Sequence, residues 1–141
     1  MRDGDSWIGH RLRRREDHRL LTGAGRYTAD LVPAGALHLA VVRSQVGHGD
    51  LRAIDLTAAR EAPGVVGAFT AGDLPEAAQT IADAAPPGVA AHPRPVLAQG
   101  RVRYQGEPVA VIAAESAYAA ADAAALAVVE VDPLDAAPDV E

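Results

Sequence analysis

The stretch VAVIAAESAYAAADAAALAVVEV, residues 109–131, decides the fold. Val109 to Ala114 is an unbroken apolar run, the pattern of a strand covered on both faces. Ser116 follows, and its hydroxyl can cap a helix predicted from Ala117 to about Ala127. Asp122 is that helix's only charge. A helix apolar nearly all round is expected to be buried on more than one side. Val128 to Val131 then returns as a strand.

The same rhythm extends upstream. GALHLAVVRS, residues 35–44, predicts a strand with both faces largely buried. Residues 45–50 read as a turn and Leu51 to Leu56 as a second strand. Thr57 is placed to cap a brief helix, Ala58 to Ala62, which Pro63 and Gly64 stop. Val65 to Ala71 is a third strand. Residues 75–95 hold five prolines and predict a surface loop, with a short helical turn around Ala77 to Ala82. Val96–Leu97 and Arg101–Tyr104 read as short strands, and residues 105–108 as a turn. The order is β-β-α-β, loop, β-β-α-β. It lacks the regular βαβ alternation of a doubly wound sheet, so the class is α+β, with a mixed sheet and two helices. Residues 1–34 read as a charged, irregular N-terminal segment, 35–132 as the domain proper and 133–141 as an acidic tail.

Composition limits the chemistry. The chain has 141 residues, enough for one domain, and is 49% apolar, but much of that is alanine. With one Phe, one Trp and one Met, the core is expected to be modest and further surface to be covered by a partner. There is no cysteine, which excludes disulfides, thiolate metal sites and iron–sulfur ligation by this chain. All 13 basic residues are Arg, so there is neither a Walker lysine nor a Schiff-base lysine. Net charge is −6, yet residues 1–30 hold seven Arg against five acids. Arg11, Arg13, Arg14 and Arg15 are followed at once by Glu16 and Asp17, which reads as an ion-paired arm rather than a nucleic-acid surface. No apolar run could span a membrane as a helix, and MRDGDSW has no apolar signal core, so the cytoplasm is the expected location.

The motifs are equally spare. Gly23 and Gly25 lack both the lysine of a phosphate loop and the third glycine of a dinucleotide fingerprint. They read as a turn requiring positive φ. His10, His18, His38, His48 and His92 share no metal-ligand spacing. His38 reads as a core or half-buried residue, and His48 as projecting from a glycine-flanked turn. No serine lies in a nucleophile elbow. Glu107, in a Gly-Glu-Pro turn, reads as solvated, with presentation to a partner as the functional alternative.

A family resemblance runs through these pieces. Arg15, Glu16, Asp17, Arg19 to Gly23, Gly25, Tyr27 and Asp30 resemble the start of the large, molybdenum-binding subunit of the xanthine dehydrogenase/aldehyde oxidase/carbon monoxide dehydrogenase family. Leu37 to Ser44, Ala62 to Val66, Gly72 to Leu74, Val96 to Ala98, Val102 to Ala110 and Ala120 to Ala124 continue it in order, from about Gly9 to Pro138. The part matched is the α/β-hammerhead domain. The resemblance places the family's pterin-binding segments and catalytic glutamate after the hammerhead, so it carries over no catalytic, cofactor or metal residue. It implies a docking role, with Arg15, Arg19, Gly23, Gly25, Tyr27, Arg43, Gly106 and Glu107 as interface residues. Gly47, His48 and Gly49 stand where the resemblance leads one to expect Ala-His-Ala, a change expected to loosen that turn.

Three functions follow from it. The first is a non-catalytic hammerhead subunit of a split molybdenum hydroxylase. Its molybdopterin, iron–sulfur clusters and FAD would sit in partner chains. The second is an orphan hammerhead, self-associated and reused as a small enzyme or ligand-binding protein; His48, Glu107, Tyr104 and Asp30 are then the catalytic candidates. The third is a non-catalytic assembly protein.

Overall fold

The computed structural model describes residues 8, 9, 11, 13–81, 86, 88–90 and 94–136. The first seven residues, part of the 75–95 loop including Ala82, and the last five residues of the acidic tail lie outside the described residues. The chain divides into two compact units, residues 1–34 and 35–141.

The first unit is not wholly irregular: it carries a short helix, α1 (Asp17–Leu21). The helix ends because Gly23 takes φ +71°, a backbone conformation that costs glycine little. The N–H of Ala24 then reaches the Arg19 carbonyl at 2.8 Å, and that of Gly23 the Leu20 carbonyl at 3.3 Å. These two bonds satisfy carbonyls that the helix end would otherwise leave open. Gly25 differs from its predicted role. Its φ is not positive; it is small because a Cβ there would lie 2.6 Å from Leu20 Cδ2. No described residue of this unit is buried.

The second unit comprises β1 (His38–Arg43), β2 (Gly49–Asp55), α2 (Thr57–Glu61), β3 (Val65–Thr70), β4 (Thr80–Ile81), β5 (Arg94–Pro95), β6 (Arg101–Val102), β7 (Pro108–Ala114), α3 (Ala117–Ala125) and β8 (Val128–Pro133). A single mixed sheet was the expectation; the described strands instead form two three-stranded sheets and one two-stranded ribbon. Sheet one has the order β1-β7-β3 and sheet two the order β6-β2-β8. Every pairing is antiparallel. The predicted loop contains the β4–β5 ribbon, and its helical turn is a 3-10 turn at Glu76–Ala78. The strand predicted at Val96–Leu97 lies at Arg94–Pro95 instead.

Strand β7 is the central strand of sheet one, as its apolar run requires. Val109, Ala110, Ile112 and Ala114 are fully buried. Helix α3 packs across sheet one, contacting β1 and β7 most. Its N-terminus is capped as predicted, Ser116 Oγ accepting the Ala119 N–H at 3.1 Å. It is not buried on several sides, however: only Ala120 and Ala123 are buried, and Tyr118 is 85% exposed. Alanine favours helix without needing burial, so an alanine-rich sequence does not mark the hidden faces. Thr57 lies inside α2 rather than capping it, and Asp55 Oδ1 accepts the Thr57 N–H at 2.8 Å.

The core lies between the sheets and helices and joins Val42, Leu56, Ala59, Ala68, Val102, Val109, Ile112 and Ala123. Burying each large apolar member contributes about 1.5–3 kcal/mol. Leu56, Ile112, Val102 and Val109 are the largest fully buried side chains, so the core is small, as the scarcity of aromatics implies.

Candidate functional site

The turn joining β6 to β7 meets the C-terminal end of β1, and here lie the buried polar residues found among the described residues, Ser44 and Glu107. The Ser44 N–H donates to the Glu107 carbonyl at 3.0 Å, and the Gly106 N–H to the Ser44 carbonyl at 2.8 Å. Gly106 has φ +87°, which lets the chain reverse before Pro108. Arg43 Nη1 donates to the Gly106 carbonyl at 2.9 Å. Ser44 closes its own turn, Oγ accepting the Val46 N–H at 3.0 Å.

Glu107 is 4% exposed, so the solvated turn expected from sequence is not found. Its Oε2 accepts the Arg103 N–H, and its Oε1 accepts a bond from Arg103 Nη1 at 3.2 Å. Both oxygens are therefore spent inside the turn, which satisfies the buried carboxylate. The arrangement gives a rigid corner that presents Tyr104, 55% exposed, and Gln105 to solvent. Of the predicted interface residues, Arg43, Gly106 and Glu107 are thus brought together. Ser44 and Arg103 complete the corner, although sequence reasoning passed over them. Their signals were present: a serine closing a strand end, and an arginine four residues before a glutamate.

The remaining predicted interface residues lie in the first unit. Arg19 pairs with Glu16, and Arg14 Nε lies 3.9 Å from Asp17 Oδ1. Arg15 and Tyr27 are exposed. Asp30 Oδ2 accepts the Tyr27 N–H at 2.8 Å, so this carboxylate serves its own 3-10 turn.

The catalytic candidates divide between the two units: Asp30 belongs to one, and His48, Tyr104 and Glu107 to the other. The His48 ring, through Nδ1, meets the Asp135 carbonyl at 2.8 Å. Three surface clefts are lined by none of His48, Tyr104 and Glu107. His38, predicted half-buried, is exposed. Gly49 does not loosen its turn: it is buried, and a Cβ there would lie 2.5 Å from the Asp132 carbonyl oxygen. It is where β2 and β8 approach each other.

The broadest feature is a face of sheet one. Cross-strand partners point to one side, so Leu39, Ala113 and Gly67 form one row and Val41, Val111 and Phe69 the next. This face lies opposite the one carrying Ala40, Val42, Ala110, Ile112 and Ala68. Leu39 is 68% exposed, Phe69 42% and Val41 39%. The Phe69 ring lies over Gly67, where a Cβ would come within 2.6 Å of it. The strand predicted with two buried faces therefore buries one. Sheet two is the reverse, with charges outside: Arg52 Nε donates to Asp132 Oδ2 at 2.6 Å, and Arg101 Nη2 to Asp50 Oδ1 at 2.8 Å. Asp132 holds the Arg52 guanidinium pKa above its ordinary value through that hydrogen bond.

Among the described residues, no group of three or more His, Cys, Asp and Glu is placed to hold a metal ion. No described helix is long and apolar enough to cross a membrane. The chain has no cysteine to ligate an iron–sulfur cluster.

Comparison with known proteins explains the geometry. The model of the aldehyde oxidase and xanthine dehydrogenase a/b hammerhead domain matches residues 22–135. The large subunit of nicotine 6-hydroxylase from Paenarthrobacter nicotinovorans is 43% identical over 129 residues, covering 91% of this chain and 16% of that protein. Quinoline 2-oxidoreductase from Pseudomonas putida 86 superposes with a TM-score of 0.81 at 44% identity, covering 89% of this chain and 16% of that one. The Cu,Mo-CO dehydrogenase superposes at 0.79 with 35% identity, over 89% of this chain and 15% of that one. The chain thus spans about one-sixth of the length of the relatives it matches. With that family model matched over residues 22–135, and a relative 43% identical covering 91% of it, the chain belongs to the aldehyde oxidase and xanthine dehydrogenase family, as its a/b hammerhead domain.

Proposed function

We propose that the chain is the non-catalytic hammerhead subunit of a split, molybdenum-dependent hydroxylase or dehydrogenase, with a structural and docking role against a molybdenum-binding chain. The observation that carries this reading is the apolar face of sheet one on which Leu39, Val41 and Phe69 are exposed beside half-buried Val111. A small domain with a modest core gains from covering such a patch, and exposed apolar patches mark interaction sites. In the second unit the rigid Arg43–Glu107 corner supplies polar contacts; in the first unit Arg15, Arg19, Gly23, Gly25 and Tyr27 are the docking residues on this reading.

On this reading the chain binds no cofactor. Molybdopterin, iron–sulfur clusters and FAD reside in partner chains, and the assembly works in the cytoplasm. The family relatives include a protein named as a large subunit and one named for its copper and molybdenum, which supports partners of that kind.

The test uses the nicotine 6-hydroxylase large subunit with its own hammerhead removed, co-expressed with this chain. A stable complex is the expected result. A chain that stays alone in its presence overturns the proposal. Turnover of nicotine by the purified chain without any partner would favour the stand-alone enzyme instead.

A further inference from the structure

We propose that the open edge of β2 receives an extended peptide segment of the molybdenum-binding partner, which pairs with it as an added strand. The inference rests on the docking role proposed above and names where one contact is made.

Strand β2 runs from Gly49 to Asp55, and β8 pairs with it along that length. On the other edge, β6 reaches only Gly49 and Asp50. The Leu51 N–H still finds the Gly100 carbonyl at 3.0 Å, but Gly100, at φ +64°, turns the chain away. From Arg52 to Asp55 this edge faces no strand among the described residues. It faces a cleft of about 400 Å³, walled on one side by Leu51 to Ile54 and on the other by Thr70 to Gly72, Gln79, Ala98 and Gln99. That is the size of a site for a ligand of a few residues.

The contrast with β3 makes the openness informative. Exposed strand edges invite pairing, and proteins block those they need closed. On β3, the Arg60 guanidinium donates to the Ala68 carbonyl from Nε at 3.2 Å and from Nη2 at 3.0 Å. Asp73, 3.7 Å away, steadies it. Strand β2 has no such plug. It contains no proline, and Arg52 is turned to Asp132.

The far wall is fixed. Asp73 Oδ2 accepts the Thr70 N–H at 2.7 Å and its hydroxyl at 2.8 Å. Gln99 Nε2 donates to Gln79 Oε1 at 3.1 Å. Arg52, the only charged residue among the described lining, is already paired with Asp132, so the cleft suits a neutral segment. The relatives carry about five-sixths of their length outside the region matched here, and that polypeptide is the source. Main-chain bonds then supply affinity and alternate side chains specificity.

Hydrogen exchange tests it, with the hammerhead-deleted nicotine 6-hydroxylase large subunit as the probe. Amides of residues 52–55 that face the open edge should exchange at least tenfold more slowly in the complex than in the chain alone. The variant Gly72→Phe fills the cleft from its far wall; the nearest atom to a Cβ there is Thr70 Oγ1 at 3.8 Å, so the chain should melt unchanged. It should weaken the complex at least tenfold and abolish the protection. A complex that forms while the open-edge amides of residues 52–55 exchange at the free-chain rate overturns this inference and leaves the docking role standing. Failure to form any complex overturns both.

Discussion

Glu107 shows what a single residue contributes. Its carboxylate satisfies the Arg103 N–H and holds the Arg103 guanidinium inside a buried turn. Glu107→Ala leaves that N–H without its acceptor and should cost about 1–3 kcal/mol. Glu107→Gln keeps one carbonyl oxygen and should cost about half as much. Urea denaturation reads both as a lower midpoint with an unchanged slope. Asp73 makes a different prediction. The Thr70 backbone N–H, then the Thr70 hydroxyl, hold its pKa below the ordinary 3.8. A carboxyl lowered by folding stabilises the native state above its unfolded pKa. That contribution is lost as pH falls through the folded value, so it fades below about pH 4. Asp73→Asn should remove this part of the acid limb, read as thermal midpoints from pH 5 to pH 2.

Elements follow two different rules. The capped start of α3 was legible because the cap is local: Ser116 and the Ala119 N–H lie three residues apart. Ser116→Ala should therefore cost about 1 kcal/mol, visible as a lower thermal midpoint in circular dichroism. Strand β7 was legible because a central strand, flanked by β1 and β3, writes an unbroken apolar run. Strand β1 misled for the same reason. LHLAVV suggests two buried faces, yet only the Ala40 and Val42 side is turned to the core. Apolar composition does not say whether the cover comes from the same chain. Strands β4 and β5 escaped notice because a two-residue ribbon has no period to read. The Glu107 corner was half legible: its turn was evident, but its burial depends on β1 lying beside it.

At the scale of the molecule the second unit is asymmetric, charged outside sheet two and apolar outside sheet one. That asymmetry is what the docking reading predicts from. Leu39→Thr with Val41→Thr keeps β-branched or β-compatible side chains on an exposed face. It should change the chain's own stability by no more than about 0.5 kcal/mol per site. It should weaken binding to the hammerhead-deleted large subunit at least tenfold, which calorimetry or surface plasmon resonance would read as about 1.4 kcal/mol. By itself the sequence determined the α+β class, the capped helix, the central strand and the lack of cysteine or lysine chemistry. All of these rest on residue type and near-neighbour spacing. The tertiary structure alone decided that the strands form two antiparallel sheets, which face of β1 is hidden and that Glu107 is buried. It also decided that β2 keeps an open edge. These depend on which distant segments lie side by side, and a linear pattern of apolar and polar residues carries no record of its neighbours across the fold.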